Sequence, residues 1–208
     1  DKKFVSVEDV KNTVTFLAQY LRTDVFKILG GEPLLHPKLL DILDVVRASG
    51  ITERTRVTTN GLLLHRMKDD FWEKVDHLTI SHYASAPMKE DHIKLVEQKS
   101  SAFNVVLNIK YVDQFNSILV KSPIKDSKRV ERIYDNCWIR HRCLLVRNGI
   151  FFKCSRSAYM ADFAKEFNVN DDTDFDIKDG VKLDEKFQEN VLEYLNNEVP
   201  LDSCKYCL

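Results

Sequence analysis

Hydrophobic and polar positions recur along this chain with two different periods, and the switches between them mark its elements. Over residues 6–21, Val10, Val14, Phe16, Leu17, Tyr20 and Leu21 fall at helical spacing behind Ser6 and Asp9, a start resembling a capping box. The short apolar run Val25-Phe26-Lys27-Ile28-Leu29 reads as a buried strand and stops at Gly30-Gly31. After Pro37, Leu39, Leu40, Ile42, Leu43, Val45 and Val46 form the apolar face of a second helix, with Gly50 as its stop. Residues 55–59 read as a strand ending at Asn60-Gly61, 67–75 as a helix, 77–81 as a strand, 88–100 as a helix and 103–111 as a fourth strand rich in β-branched residues. Further on, residues 144–147 and 150–153 flank Asn148-Gly149, a hairpin turn signature. Residues 184–197 read as a helix using Phe187, Val191, Leu192 and Leu195, stopped before Pro200.

Alternating helix and strand with short connections implies βα units, hence an α/β fold with a parallel sheet and right-handed crossovers. The series opens on a helix, whereas a sheet of this kind places a strand before it. A first strand is therefore expected upstream of Asp1, and the start is expected to be truncated. The pattern changes after about residue 120. A domain change is placed near residue 135, dividing the chain into 1–135 and a smaller unit, 136–208.

Composition narrows the function classes. The chain has 208 residues, 44% hydrophobic and 30% charged, an ordinary globular balance. With 31 Lys+Arg against 32 Asp+Glu there is no basic surplus, so no nucleic-acid partner is expected. No apolar run reaches the roughly 18–20 residues that span a bilayer, and Asp1-Lys2-Lys3 leads directly into the first helix without a signal-peptide pattern. Charge is nevertheless segregated: residues 121–156 carry 10 basic against 3 acidic side chains, and residues 162–202 carry 13 acidic against 4 basic. The acidic stretch reads as a solvated face. All five cysteines (Cys137, Cys143, Cys154, Cys204 and Cys207) lie in the last 72 residues. An odd number without an export signal favours a metal site in a reducing, cytoplasmic compartment over a disulfide framework.

Two constellations carry candidate chemistry. Gly30-Gly31-Glu32-Pro33 follows the first strand, where parallel α/β folds bind ligands. The glycines admit a ligand to the backbone, and the Glu32 carboxylate suits an ammonium group. A tight turn with a helix-capping acid accounts for the same residues. Thr58-Thr59-Asn60-Gly61 and Ser81-His82-Tyr83 end the next two strands, making one polar rim. The second constellation pairs Cys137 and Cys154, brought together by the hairpin, with the knuckle Cys204-Lys205-Tyr206-Cys207. Four buried thiolates repel unless a metal neutralises them, and the basic stretch around Arg140, Arg142, Arg147, Lys153 and Arg156 favours their ionised form. The spacing suits zinc as well as iron–sulfur. Cys143 is left over as a small buried hydrophobe; as a ligand it would displace Cys137. Trp138 is placed as a lid over the site, and no residue is assigned as catalytic.

Gly30-Gly31-Glu32-Pro33, Thr59-Asn60-Gly61 and Ile80-Ser81, at successive strand ends over residues 4–119, resemble the radical S-adenosylmethionine (radical SAM) superfamily. The resemblance implies a partial (βα)6 barrel. It also implies SAM binding at Gly30, Gly31, Glu32 and Pro33 and, further along the rim, at Thr59, Asn60 and Ser81. The superfamily's Cys-x3-Cys-x2-Cys, which holds the SAM-reducing [4Fe-4S] cluster, has no counterpart here and is expected upstream of Asp1. Residues 137–207 resemble the twitch (shortened SPASM) domain, which implies an auxiliary [4Fe-4S] cluster on Cys137, Cys154, Cys204 and Cys207. The resemblance implies cleavage of SAM to a 5′-deoxyadenosyl radical and C–H abstraction, with an electron donor such as flavodoxin or ferredoxin. The auxiliary cluster would then assist oxidation of a small-molecule alcohol, such as a sugar or aminocyclitol. Maturation of a ribosomally made peptide and a non-catalytic scaffold with structural zinc are the alternatives.

Overall fold

The computed structural model describes residues 4–114, 118–169 and 173–208. The chain divides between residues 115 and 116 into two compact units. No helix among the described residues is long and apolar enough to cross a membrane.

The first unit runs α1 (Val7–Leu17), β1 (Phe26–Ile28), α2 (Leu39–Ala48), β2 (Thr55–Thr59), α3 (Asp69–Lys74), β3 (His77–Tyr83), α4 (Glu90–Ala102) and β4 (Val106–Val112). Its four strands pair in sequence order, all parallel, as a helix between each pair of strands demands. Ile28 pairs with Val57, Thr59 with Ile80 and Ser81 with Lys110, so β1 and β2 end before β3 does. Val57, Leu78 and Ile80 are sealed between the sheet and the side chains of Leu43, Phe71, Trp72 and Val96. Ser6 caps α1 as its sequence suggests, its hydroxyl accepting from the Asp9 N–H at 3.0 Å. The last strand starts at Val106 instead of residue 103: Asn104 takes φ 57° and turns the chain out of α4.

The second unit contains α5 (Ser127–Asp135), β5 (Leu145–Arg147), β6 (Ile150–Phe152), α6 (Met160–Glu166), α7 (Phe175–Asp179), β7 (Val181–Lys182), α8 (Phe187–Asn196) and a closing 3-10 turn, Asp202–Tyr206. Strands β5, β6 and β7 form a small antiparallel sheet. Asn148 and Gly149 both sit in the left-handed region, φ 51° and 72°, the geometry that joins β5 to β6 in a two-residue hairpin. Phe151, Phe152, Phe175, Phe187 and Tyr206 form its buried aromatic interior. The acidic stretch is not wholly a solvated face. Asp179 is 0% exposed, because its carboxylate accepts the backbone N–H groups of Asp202 and Ser203 at 2.6 and 2.9 Å.

Candidate functional site

The strand-end rim of the first unit is organised by Glu32. Its Oε1 accepts from the Leu34 N–H at 3.0 Å and from the Thr59 hydroxyl at 2.7 Å, and its Oε2 accepts from the Asn60 N–H at 2.9 Å. It therefore caps the 3-10 turn Pro33–Leu35, as the plainer expectation had it, and also ties the end of β1 to the end of β2. A carboxylate offers about four acceptor positions. Three are taken among the described residues, which leaves room on Oε2 for one more donor. Thr59 is buried and accepts in turn from the Gly61 N–H at 3.0 Å, while the Asn60 side chain accepts from the Leu62 N–H at 2.9 Å. Gly61 needs its glycine: at φ +81° an added Cβ would lie 2.3 Å from the Met88 sulfur.

Gly30 and Gly31 are different. Both are exposed, and a Cβ added to either meets nothing within 4 Å among the described residues. Neither packing among the described residues nor a left-handed φ requires glycine at either position. Pro33 is buried at the start of the capped turn. Ser81 follows the last β2–β3 pair, Thr59 with Ile80, and is half-buried on the same rim. His82 accepts from the Met88 N–H at 3.2 Å and packs its ring against Tyr111, and His36 accepts from the Lys38 N–H ahead of α2; both are structural.

In the second unit, Cys137, Cys154, Cys204 and Cys207 line one open cavity of about 520 Å³. All five cysteines are free thiols. Cys143 does not line this cavity, although it packs with Cys137, Cys154 and Cys204 against the same apolar cluster of Ile139 and Leu201. The four thiols share a cavity and not a coordination sphere: among the described residues no three His, Cys, Asp or Glu side chains are arranged to hold a metal ion. Trp138 lines the same cavity and is 64% exposed, so it stands at the rim and not as a closed lid. Arg129, Arg132 and Arg156 also line it, and the Arg156 Nη1 lies 3.7 Å from the Cys207 sulfur.

Burial bears on three of the four thiols. Burial pushes the Cys204 thiol up to about 12, and the nearby Cys207, Asp179 and Cys154 push the same way. Burial also raises Cys154, against backbone N–H groups at Ser157 and Arg156, and raises Cys207, against the Arg156 guanidinium. Any cation entering here has to displace protons. The donor set, all sulfur with cationic neighbours, fits a thiolate-ligated metal or iron–sulfur group.

A network that was not legible in the sequence holds the two cysteine pairs in place. Asp179 fixes the turn carrying Cys204 through its two backbone acceptances. The Tyr194 hydroxyl donates to the Asp179 carbonyl and accepts from the Lys153 N–H, one residue before Cys154. Lys153 is only 4% exposed; its ammonium donates to the Tyr194 and Asn197 carbonyls at the end of α8, at 3.1 and 2.7 Å. Burial raises the Asp179 carboxyl despite the Ser203 and Asp202 donors, and raises the Tyr194 phenol strongly. Nothing in an acidic run marks one aspartate as the buried one, so only the fold exposes this role.

A parallel α/β unit with a Gly-Gly-Glu-Pro rim is joined here by partial sequence matches to three curated proteins. The matched relatives are GTP 3′,8-cyclases. The chain is 28% identical over 85 residues to that of Trichodesmium erythraeum (strain IMS101), covering 41% of this chain and 22% of the relative. It is 38% identical over 48 residues to those of Crocosphaera subtropica (strain ATCC 51142 / BH68) and Microcystis aeruginosa (strain NIES-843 / IAM M-2473), covering 23% of this chain in each case. The chain thus spans less than a quarter of the length of these curated relatives (22%, 14% and 15%). No protein-family model matches it.

Proposed function

We propose that the chain is the SAM-binding part of a radical SAM oxidoreductase together with an auxiliary iron–sulfur domain. Within this proposal the first unit belongs to a partial (βα)6 barrel and the second, which includes residues 136–208, to a twitch-like domain. The observation that carries it is the rim. Glu32 is fixed by Leu34, Thr59 and Asn60, keeps one acceptor position free, and follows two exposed glycines around which a Cβ would meet nothing within 4 Å among the described residues. That arrangement suits the ammonium of an amino-acid ligand, with Asn60 and Ser81 further along the same rim.

In the second unit Cys137, Cys154, Cys204 and Cys207 would hold a [4Fe-4S] cluster, with Cys143 outside the ligand set. When bound, SAM and its reducing cluster supply hydrogen-atom abstraction from an unactivated C–H bond, and the auxiliary cluster supplies an electron acceptor or a substrate anchor. The cysteines for the reducing cluster are not among residues 1–208. This chain's residues bind and orient: Glu32 holds an ammonium, and the arginine-lined cavity keeps negative thiolates compensated. A flavodoxin or ferredoxin donor, a small-molecule alcohol substrate and a cytoplasmic location belong to the same proposal, with a ribosomally made peptide as the alternative substrate.

Iron, sulfide and zinc analysis after anaerobic purification tests it. About four irons per chain, lost in Cys154→Ala and kept in Cys143→Ala, is the expected result. Stoichiometric zinc without iron would replace the auxiliary cluster by a structural site. Absence of SAM binding to the chain would overturn the assignment of the rim.

A further inference from the structure

We propose that Arg156 is a positioning residue of the four-cysteine site, donating N–H groups to the sulfurs of the bound metal group and setting its charge balance. Arg156 follows Cys154 by two residues in the segment after β6, yet its Nη1 reaches the sulfur of Cys207, 51 positions later, at 3.7 Å. One residue therefore meets both halves of the cysteine set, Cys154 through its backbone N–H and Cys207 through its side chain. Its Nε is buried and has no hydrogen-bond partner among the described residues. A buried donor left in that state costs about 1–3 kcal/mol, so such atoms are rare without a reason.

The same side chain lines the cavity that Cys137, Cys154, Cys204 and Cys207 share. A guanidinium presents its donors in a planar fork. With one arm on the Cys207 sulfur, the acceptor that Nε lacks is supplied when a sulfur-rich, negatively charged group occupies the cavity. Hydrogen bonds and positive charge at ligand sulfurs strengthen metal binding and raise the reduction potential of an iron–sulfur cluster. The inference rests on the reading of the four cysteines as a metal site.

Cobalt(II) titration of the metal-free full chain separates the two. Thiolate-to-cobalt absorption in the wild type is required by the site itself, and its absence overturns the site and this inference together. With the site present, Arg156→Gln is expected to weaken cobalt(II) binding by about ten- to a hundredfold, and Arg156→Lys to recover part of the loss. After iron–sulfur reconstitution, Arg156→Gln is expected to lower the reduced-to-oxidised ratio at fixed poise about tenfold, which is about 59 mV for a one-electron couple. A purely structural arginine would move thermal stability only. Unchanged cobalt affinity and unchanged potential in Arg156→Gln would overturn the proposal.

Discussion

Replacing Glu32 separates its two jobs. Its carboxylate accepts three hydrogen bonds, from the Leu34 N–H at 3.0 Å, the Thr59 hydroxyl at 2.7 Å and the Asn60 N–H at 2.9 Å. Glutamine keeps an oxygen for Leu34 and Thr59 but turns an NH2 towards the Asn60 N–H, losing one bond. Alanine loses all three. At about 1 kcal/mol for each bond, Glu32→Gln should destabilise the first unit by about 1 kcal/mol and Glu32→Ala by about 3 kcal/mol. A ligand ammonium adds a charge-assisted bond that neither variant can make, worth about 1.5–3 kcal/mol, or about ten- to a hundredfold in Kd. Isothermal titration with SAM, beside thermal unfolding of the same samples, reads both effects. The charge reasoning requires Glu32→Gln to lose affinity out of proportion to its small loss of stability. Wild-type SAM affinity in a glutamine variant destabilised as expected would leave Glu32 as a clamp alone.

The remaining predictions concern the scaffold. Asp179→Ala strands the Asp202 and Ser203 N–H groups, now bonded at 2.6 and 2.9 Å, and should cost about 3 kcal/mol and weaken cobalt(II) binding at the cysteines; an unshifted melting transition would count against the cap. Gly180→Ala would put a Cβ 2.3 Å from Ile150 and 2.8 Å from Phe152, an overpacking expected to cost about 1–3 kcal/mol in denaturant titrations. Asp76 titrates low: burial pushes its carboxyl up, but the Thr55 N–H and hydroxyl at 2.7 and 3.0 Å and the Arg47 guanidinium outweigh that and hold it below its usual value. A depressed folded pKa gives stability that is present above about pH 4 and lost as pH falls through the folded value. Wild type should therefore lose more stability on acidification than Asp76→Asn, and parallel curves would refute the assignment.

The local elements were legible because they follow from short-range physics. The period of the apolar residues placed β2 and its neighbouring helices, Ser6 announced its cap, and Asn148-Gly149 announced a turn whose two residues do take positive φ. The gathering of candidate chemistry at strand ends was legible too, since parallel strands joined by helices end on one side. What the sequence left open depends on partners far along the chain. Asp179 is one acid among 13 between residues 162 and 202, and only the approach of the 3-10 turn makes it the buried one. Strand β7 is two residues long and carries no pattern of its own. Cys143 and Cys137 have the same side chain in the same segment and both pack against the Ile139 cluster, yet only Cys137 also lines the cavity. The sequence by itself determined the periods, turns and types of donor. Tertiary structure decided which donors are desolvated and paired, because burial and hydrogen-bond geometry depend on residues that only folding brings together.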